Sequence, residues 1–194
     1  AIRTSHNMPT PELLEASDRL GVLVLCETRT MSSTSEAMEE LSRMVRRFRN
    51  HPSIFMWSMG NEEGTLQRDA AGPRVLHAMQ QRAHELDPTR LCTAAVNAHF
   101  EIPCAQAGSP NTDNQCMVPD FGPSLDVMGF NYNLGRIDQY HKDHPNQPSI
   151  GTEIASPTCT RGIYSTDTLR NWLSSYNDVD PGTVERMKKG QESW

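Results

Sequence analysis

The sequence has 194 residues, 36% of them hydrophobic and 22% charged, and carries a net charge of −6 at pH 7. This is the composition of a globular protein of ordinary domain size that can bury a core. Arg46-Arg47-Phe48-Arg49 is the densest basic stretch, which argues against a nucleic-acid partner, and no apolar run reaches the roughly 18 residues of a membrane span. The chain opens on Ala1-Ile2-Arg3 without a charged-then-apolar leader, so this end assigns no compartment.

Taken in chain order, a short apolar strand at Ala1-Ile2-Arg3 precedes a helix over Pro11 to Leu20, with Thr10 as N-cap, Pro11 in the first turn and Gly21 as its stop. Val22 to Leu25 is the second strand. Met38, Leu41, Val45 and Phe48 mark one face of a second helix, ended by Asn50-His51-Pro52, with Arg46, Arg47 and Arg49 near its negative pole. Ile54 to Trp57 is the third strand, where Phe55 and Trp57 alternate with Ile54 and Met56 and fill the two sides of a wall. A third helix carries Val75, Leu76, Met79, Ala83 and Leu86 and stops at Asp87-Pro88. Strands at Leu91 to Val96, Val127 to Phe130 and Ser149 to Gly151 come next, with helices at Ile137 to His144 and around Leu169, Trp172, Leu173 and Tyr176. Glu101 to Pro123 lacks periodicity and reads as a long loop that shapes a binding face.

Strands alternating with helices argue for parallel strands covered by helices. The strand starts recur at intervals near the roughly 31 residues obtained by dividing about 250 among eight units of a barrel. The expectation is therefore an α/β fold of the (β/α)8 TIM-barrel type, present in part as about six strand-helix units in one domain, residues 1–194, incomplete at both ends. An open doubly wound sheet would show a Gly-rich phosphate turn after a strand, and none is present. Among the five cysteines, Cys26 and Cys92 sit in apolar runs as small core residues; without a C-x-x-C pair neither a zinc site nor a disulfide framework is signalled, and a Cys104–Cys116 bridge has no other support.

The chemistry lies in the residues just past each strand: Arg3, Ser5 and His6; Glu27 and Arg29; Asn61, Glu62 and Glu63; Asn97 and His99; Asn131, Tyr132 and Asn133; Glu153. Polar residues gathered at the carboxyl ends of parallel strands mark the catalytic face of a barrel. A retaining glycosidase needs two carboxyl groups flanking the anomeric carbon, one protonated and one ionised. Glu62 and Glu153, about three strand-helix units apart, meet that need.

The segments Arg3-Thr4-Ser5-His6-Asn7, Arg49-Asn50-His51-Pro52-Ser53-Ile54, Trp57-Ser58-Met59-Gly60-Asn61-Glu62 and Ile150-Gly151-Thr152-Glu153 resemble glycoside hydrolase family 2, especially its bacterial β-galactosidases. The resemblance runs over nearly the whole sequence. It implies that Glu62, after Asn61, is the acid/base and Glu153 the nucleophile, that Tyr132 lies near the nucleophile, and that barrel strands two to seven are represented. It also implies amino-terminal β-sandwich domains and first and eighth strands outside these residues. Cys26 stands where the family usually has an acid, which weakens any metal or structural role carried over to that strand end.

Glu62 is preferred to Glu63, whose carboxylate would face outward. Asn61 is either a strand-end cap or a donor to a sugar 2-hydroxyl. His6 is either a satisfied structural histidine or a sugar contact, and Arg3 is read as orienting a glutamate. Glu27 is either on the substrate side or in an ion pair with Arg29. The expected activity is hydrolysis of a terminal β-linked sugar, most plainly a β-galactoside, by double displacement. β-Glucuronidase and β-mannosidase activities remain open, as does a non-catalytic carbohydrate-binding barrel. A metal-dependent hydrolase built on His6, Glu27 and His99 lacks a ligand spacing to support it. The expected partners are a carbohydrate substrate, further domains of a longer enzyme and a possible second copy, with no cofactor, metal, nucleic acid or membrane.

Overall fold

The computed structural model describes residues 1–97, 101–102, 116–117, 120–132 and 134–154. The chain divides into two compact units, Ala1–Thr152 and Glu153–Trp194. Only residues 153–154 of the second are described, so the architecture is that of the first. The elements run β1 (Ile2–Arg3), α1 (Pro11–Leu20), β2 (Val24–Glu27), α2 (Ser35–Phe48), β3 (Ile54–Asn61) and α3 (Ala71–Leu86). They continue with β4 (Leu91–Val96), β5 (Glu101–Ile102), β6 (Cys116–Met117), β7 (Met128–Asn131), α4 (Leu134–Asp143) and β8 (Ser149–Glu153). Short 3-10 turns at Leu66–Arg68 and Gly122–Ser124 precede α3 and β7.

One sheet has the order β1-β2-β3-β4-β7-β8, and the pairings from β1 through β7 are parallel. β5 and β6 form a separate antiparallel pair within the expected long loop, most of which lies outside the described residues. Helices connect β1 to β2, β2 to β3, β3 to β4 and β7 to β8, as parallel pairing requires, because a chain must cross over before it can lie beside the preceding strand in the same direction. The arrangement is part of a (β/α)8 barrel.

The local reasons are visible in the caps. Thr10 Oγ1 accepts the Leu13 N–H at 3.4 Å, Pro11 needs no N–H at its position, and Gly21 takes φ 68°, a left-handed conformation that costs glycine no Cβ clash. Both Gly21 and Val22 then donate to the Ser17 carbonyl, so the chain is still closing the helix at Val22 and β2 begins at Val24, two residues later than the apolar run suggests. Thr34 caps α2 in the same way. Arg49, just past α2, donates from Nη1 to the Leu86 carbonyl at 2.6 Å and so also serves the end of α3.

The strands sort their side chains by alternation. Val24 and Cys26, Trp57 and Met59, Cys92, Ala94 and Val96, and Met128 and Phe130 join a core with Leu41, Met44, Val45 and Phe48 of α2 and Leu76, Met79 and Ala83 of α3. Burying aliphatic and aromatic side chains of this size contributes about 1.5–3 kcal/mol each. A smaller cluster of Leu25, Met56 and Val127, with Phe55 and Ile150 against it, lies on the other side of the wall. Phe55 therefore does not share a side with Trp57 as strict alternation would have it. The register slips there, with Val24 opposite Ile54 and Leu25 opposite Met56, so Ile54 joins Trp57 in the larger core.

Trp57 is fully buried, its Nε1 donating to Asp87 at 3.1 Å and the Arg90 guanidinium 5.8 Å from its ring centroid, which makes it a wall residue. Cys26 and Cys92 are free, buried thiols, and burial with the adjacent Glu27 charge pushes Cys26 up to about 12, too high to supply a thiolate near neutrality. The conceivable but unsupported Cys104–Cys116 bridge, Cys159, His99, Asn133 and the helix around Leu169 to Tyr176 fall outside the residues or side chains described.

Candidate active site

Along the inner side of the wall, Leu25, Met56, Val127 and Ile150 give way toward the carboxyl ends of their strands to Glu27, Ser58, Asn131 and Thr152. The polar end is a connected network. Glu27 is fully buried; its Oε2 accepts from Arg3 Nε at 2.7 Å and from Ser58 Oγ at 2.7 Å, and its Oε1 accepts from Arg3 Nη2 at 2.9 Å. His6 Nδ1 lies 3.3 Å from Glu27 Oε1 and 3.4 Å from Arg3 Nη2. The ends of β1, β2 and β3 meet in these contacts. The ion pair considered between Glu27 and Arg29 is not the one formed: Arg29 is exposed, and the neighbouring strand brings Arg3 to Glu27 in a two-pronged pair.

From Arg3 the network crosses to the ends of β3, β7 and β8. Arg3 Nη2 donates to Asn61 Oδ1 at 2.6 Å, Asn131 Nδ2 donates to the same oxygen at 3.0 Å, and Asn131 Nδ2 also donates to Glu62 Oε1 at 2.6 Å. Thr152 Oγ1 donates to Asn131 Oδ1 at 2.7 Å, and the Thr152 carbonyl receives Arg3 Nη1 at 3.4 Å. Asn131 is fully buried, whereas Asn61 and Glu62 are half-buried. Because Arg3 can only donate, the Asn61 atom facing it must be the carbonyl oxygen, and the Asn61 amide nitrogen is turned away from the pair.

The backbone reason for this placement is a bulge in β3. Ser58 lies opposite Thr93 and Asn61 opposite Ala95, so three steps on β3 span two on β4. Gly60 absorbs the extra residue at φ 123°, and a Cβ there would sit 2.9 Å from the Met31 backbone nitrogen, so no other residue fits without displacement. Glu62 then takes φ 41°, its N–H held by the Ala95 carbonyl at 3.0 Å. Tyr132, immediately after β7, takes φ 57°. Left-handed backbone at a non-glycine residue costs on the order of 1 kcal/mol and is retained where a side chain must point a particular way. Here it occurs at two residues that directly succeed strands of one sheet.

Arg3, His6, Glu27, Asn61 and Glu62 are thus brought together. Tyr132 comes directly after network member Asn131 in sequence and is half-buried. Glu153 comes directly after Thr152, ends β8 and opens the second unit. Glu63 is half-buried and receives Gln67 N–H on its backbone carbonyl. Ser58, Asn131 and Thr152 were not assigned roles from sequence; a signal was present in their type, since small polar residues at the carboxyl ends of otherwise apolar strands have few partners except one another.

A metal reading on His6 and Glu27 conflicts with the donor set, because both Glu27 oxygens are occupied by Arg3 and the guanidinium stands beside His6. Elsewhere, His84, Cys92 and Asp126 present ligand-type atoms within 4.8 Å of one another at the amino end of β4. The Asp126 oxygens there already accept from Gln80 Nε2 at 2.8 Å and the Cys92 N–H at 2.7 Å, with His84 Nε2 2.9 Å away, so the aspartate ties α3 to the sheet.

Residues 30–184 match the family model described as glycosyl hydrolases family 2, TIM barrel domain. A β-galactosidase of Bacteroides ovatus is 31% identical over an alignment covering 84% of this chain and 22% of its own length. A β-glucuronidase of Canis lupus familiaris is 31% identical over 60% of this chain and 19% of its own. Among solved structures, a glycosyl hydrolase family 2 member from Bacteroides cellulosilyticus superposes with a TM-score of 0.61 at 32% identity, covering 80% of this chain and 20% of that one. The chain therefore spans about a fifth of the length of the curated relatives it matches.

Proposed function

The chain belongs to glycoside hydrolase family 2, and from that premise we propose that it carries the catalytic carboxylates of a retaining enzyme that removes a terminal β-linked sugar, with a β-galactoside as substrate. Glu62 is the acid/base and Glu153 the nucleophile. Glu62 gives its proton to the leaving oxygen as Glu153 attacks the anomeric carbon, and the covalent glycosyl-enzyme is then opened by water that Glu62 deprotonates. The observation that carries this reading is the aim of Glu62, which a bulge, a left-handed residue and a buried amide all serve. Asn61 supports it with an amide nitrogen turned away from Arg3 and suited to a sugar 2-hydroxyl.

Galactose is preferred to glucuronic acid on charge. A uronic carboxylate calls for a cation, and the guanidinium in the described network, Arg3, is committed to Glu27. The β-glucuronidase relatives keep the acidic sugar as the second reading.

The test is a panel of nitrophenyl β-galactoside, β-glucuronide and β-mannoside with the protein in its full-length form, tracking product configuration by NMR. Glu153→Gly should abolish turnover and regain it with azide, giving a glycosyl azide of inverted configuration. Glu62→Ala should lose activity mainly on poor leaving groups. Inversion by the unmodified enzyme would overturn the mechanism, a preference for the glucuronide would overturn the substrate, and sugar binding without turnover would favour a non-catalytic barrel.

A further inference from the structure

The hydrogen-bond polarity around Glu62 is determined by chemistry alone, with Arg3 as its origin. Arg3 has no acceptor, so the Asn61 atom at 2.6 Å from its Nη2 is an oxygen. That oxygen lies 3.0 Å from an Asn131 amide atom, which must then be the nitrogen. The same nitrogen reaches Glu62 Oε1 at 2.6 Å, and the remaining Asn131 atom, its oxygen, accepts from Thr152 Oγ1 at 2.7 Å. An amide nitrogen donates and does not accept, so Oε1 of Glu62 is an acceptor whether the carboxyl is charged or neutral. In the neutral carboxyl the carbonyl oxygen is the stronger acceptor, so this contact favours Oε1 as the carbonyl and Oε2 as the oxygen that carries the acid proton.

We infer that Asn131 is a positioning residue which, oriented by Asn61 and Thr152, holds the transferable proton of Glu62 on Oε2. This rests on the reading of Glu62 as acid/base. Without it, the proton distributes over both oxygens and the carboxyl rotates, so a fraction of encounters present the wrong oxygen to the leaving group. Asn131 is fully buried, and in this role it acts through Glu62. The charged and titratable groups joined to Glu62 through the described network are Arg3, His6 and Glu27, none of which is altered by changing Asn131.

The experiment compares alkyl and dinitrophenyl β-glycosides of the preferred sugar, in the full-length protein, across pH. Asn131→Ala should lower kcat/KM for the alkyl glycoside about tenfold or more while sparing the dinitrophenyl one. Loss of a donor to the carboxylate should also move the alkaline limb of the pH profile upward, and Asn131→Asp, which sets an acceptor against Oε1, should move it further. Thr152→Val, which removes only a hydroxyl donor, should give the same pattern more weakly and serves if Asn131 variants do not fold. Equal loss on both substrates with an unmoved alkaline limb would overturn the inference. If Glu62→Ala itself shows no leaving-group dependence, the acid assignment has failed instead, and the two failures are told apart.

Discussion

A carboxylate without solvent contact persists only where donors replace the water it has lost, and Glu27 has Arg3 on both oxygens and Ser58 on one. Removing one partner of such a pair leaves the other uncompensated, which costs about 3–5 kcal/mol. Glu27→Ala should therefore lower unfolding stability by that order in urea titrations, and should also loosen Asn61, which shares Arg3. A loss below about 1 kcal/mol would mean that Arg3 finds water or another anion and that the pair is not structural. The sequence offered Arg29 as partner because it is two residues away, but β2 ends at Glu27 and Arg29 lies beyond it in exposed chain. A buried carboxylate is instead matched by the cation that shares its interior, and the adjacent strand supplies it.

At the scale of elements, α1 is tied to the turn before β3 through Asp18. Its Oδ2 lies 2.6 Å from His51 Nδ1 and its Oδ1 accepts the Ser53 N–H at 2.9 Å. Burial pushes the Asp18 carboxyl up, but the hydrogen bonds from Ser53 and His51 and the His51 charge outweigh it, leaving Asp18 below its ordinary value of 3.8. A depressed carboxyl contributes stability that is present above its unfolded pKa and is lost as pH falls through the folded one. Asp18→Asn should thus lower Tm at pH 5 to 7, and the gap to the unmodified protein should close as pH drops below about 3.8. A gap that stays constant to pH 3 would assign the effect to packing. The helix boundaries at this scale were legible: Thr10, Pro11 and Gly21 act as their residue types require. The extent of β3 was not, because Ser58, Gly60 and Asn61 break an apolar pattern while Ser58 and Asn61 continue to pair on either side of the bulge.

For the molecule as a whole, the described sheet ends at β1 on one side and β8 on the other. A barrel protects its strands by closing, and an open edge offers a row of unpaired N–H and C=O groups. The 194 residues expressed by themselves should therefore self-associate at micromolar concentration, which light scattering would read directly. A stable monomer with native-like thermal cooperativity would show that these edges are covered.

The sequence by itself determined the alternation of strands and helices, hence the parallel sheet, and it placed Glu62 and Glu153 at strand ends, because periodicity, caps and strand-end polarity are local properties. The tertiary structure decided what lies beside what: Arg3 instead of Arg29 at Glu27, Ile54 instead of Phe55 beside Trp57, and Asn131 between Asn61, Glu62 and Thr152. Those choices depend on register and on a one-residue bulge at Gly60, and a shift of one residue reverses which face a side chain occupies. No local pattern contains that information, since register is set by how neighbouring strands pack.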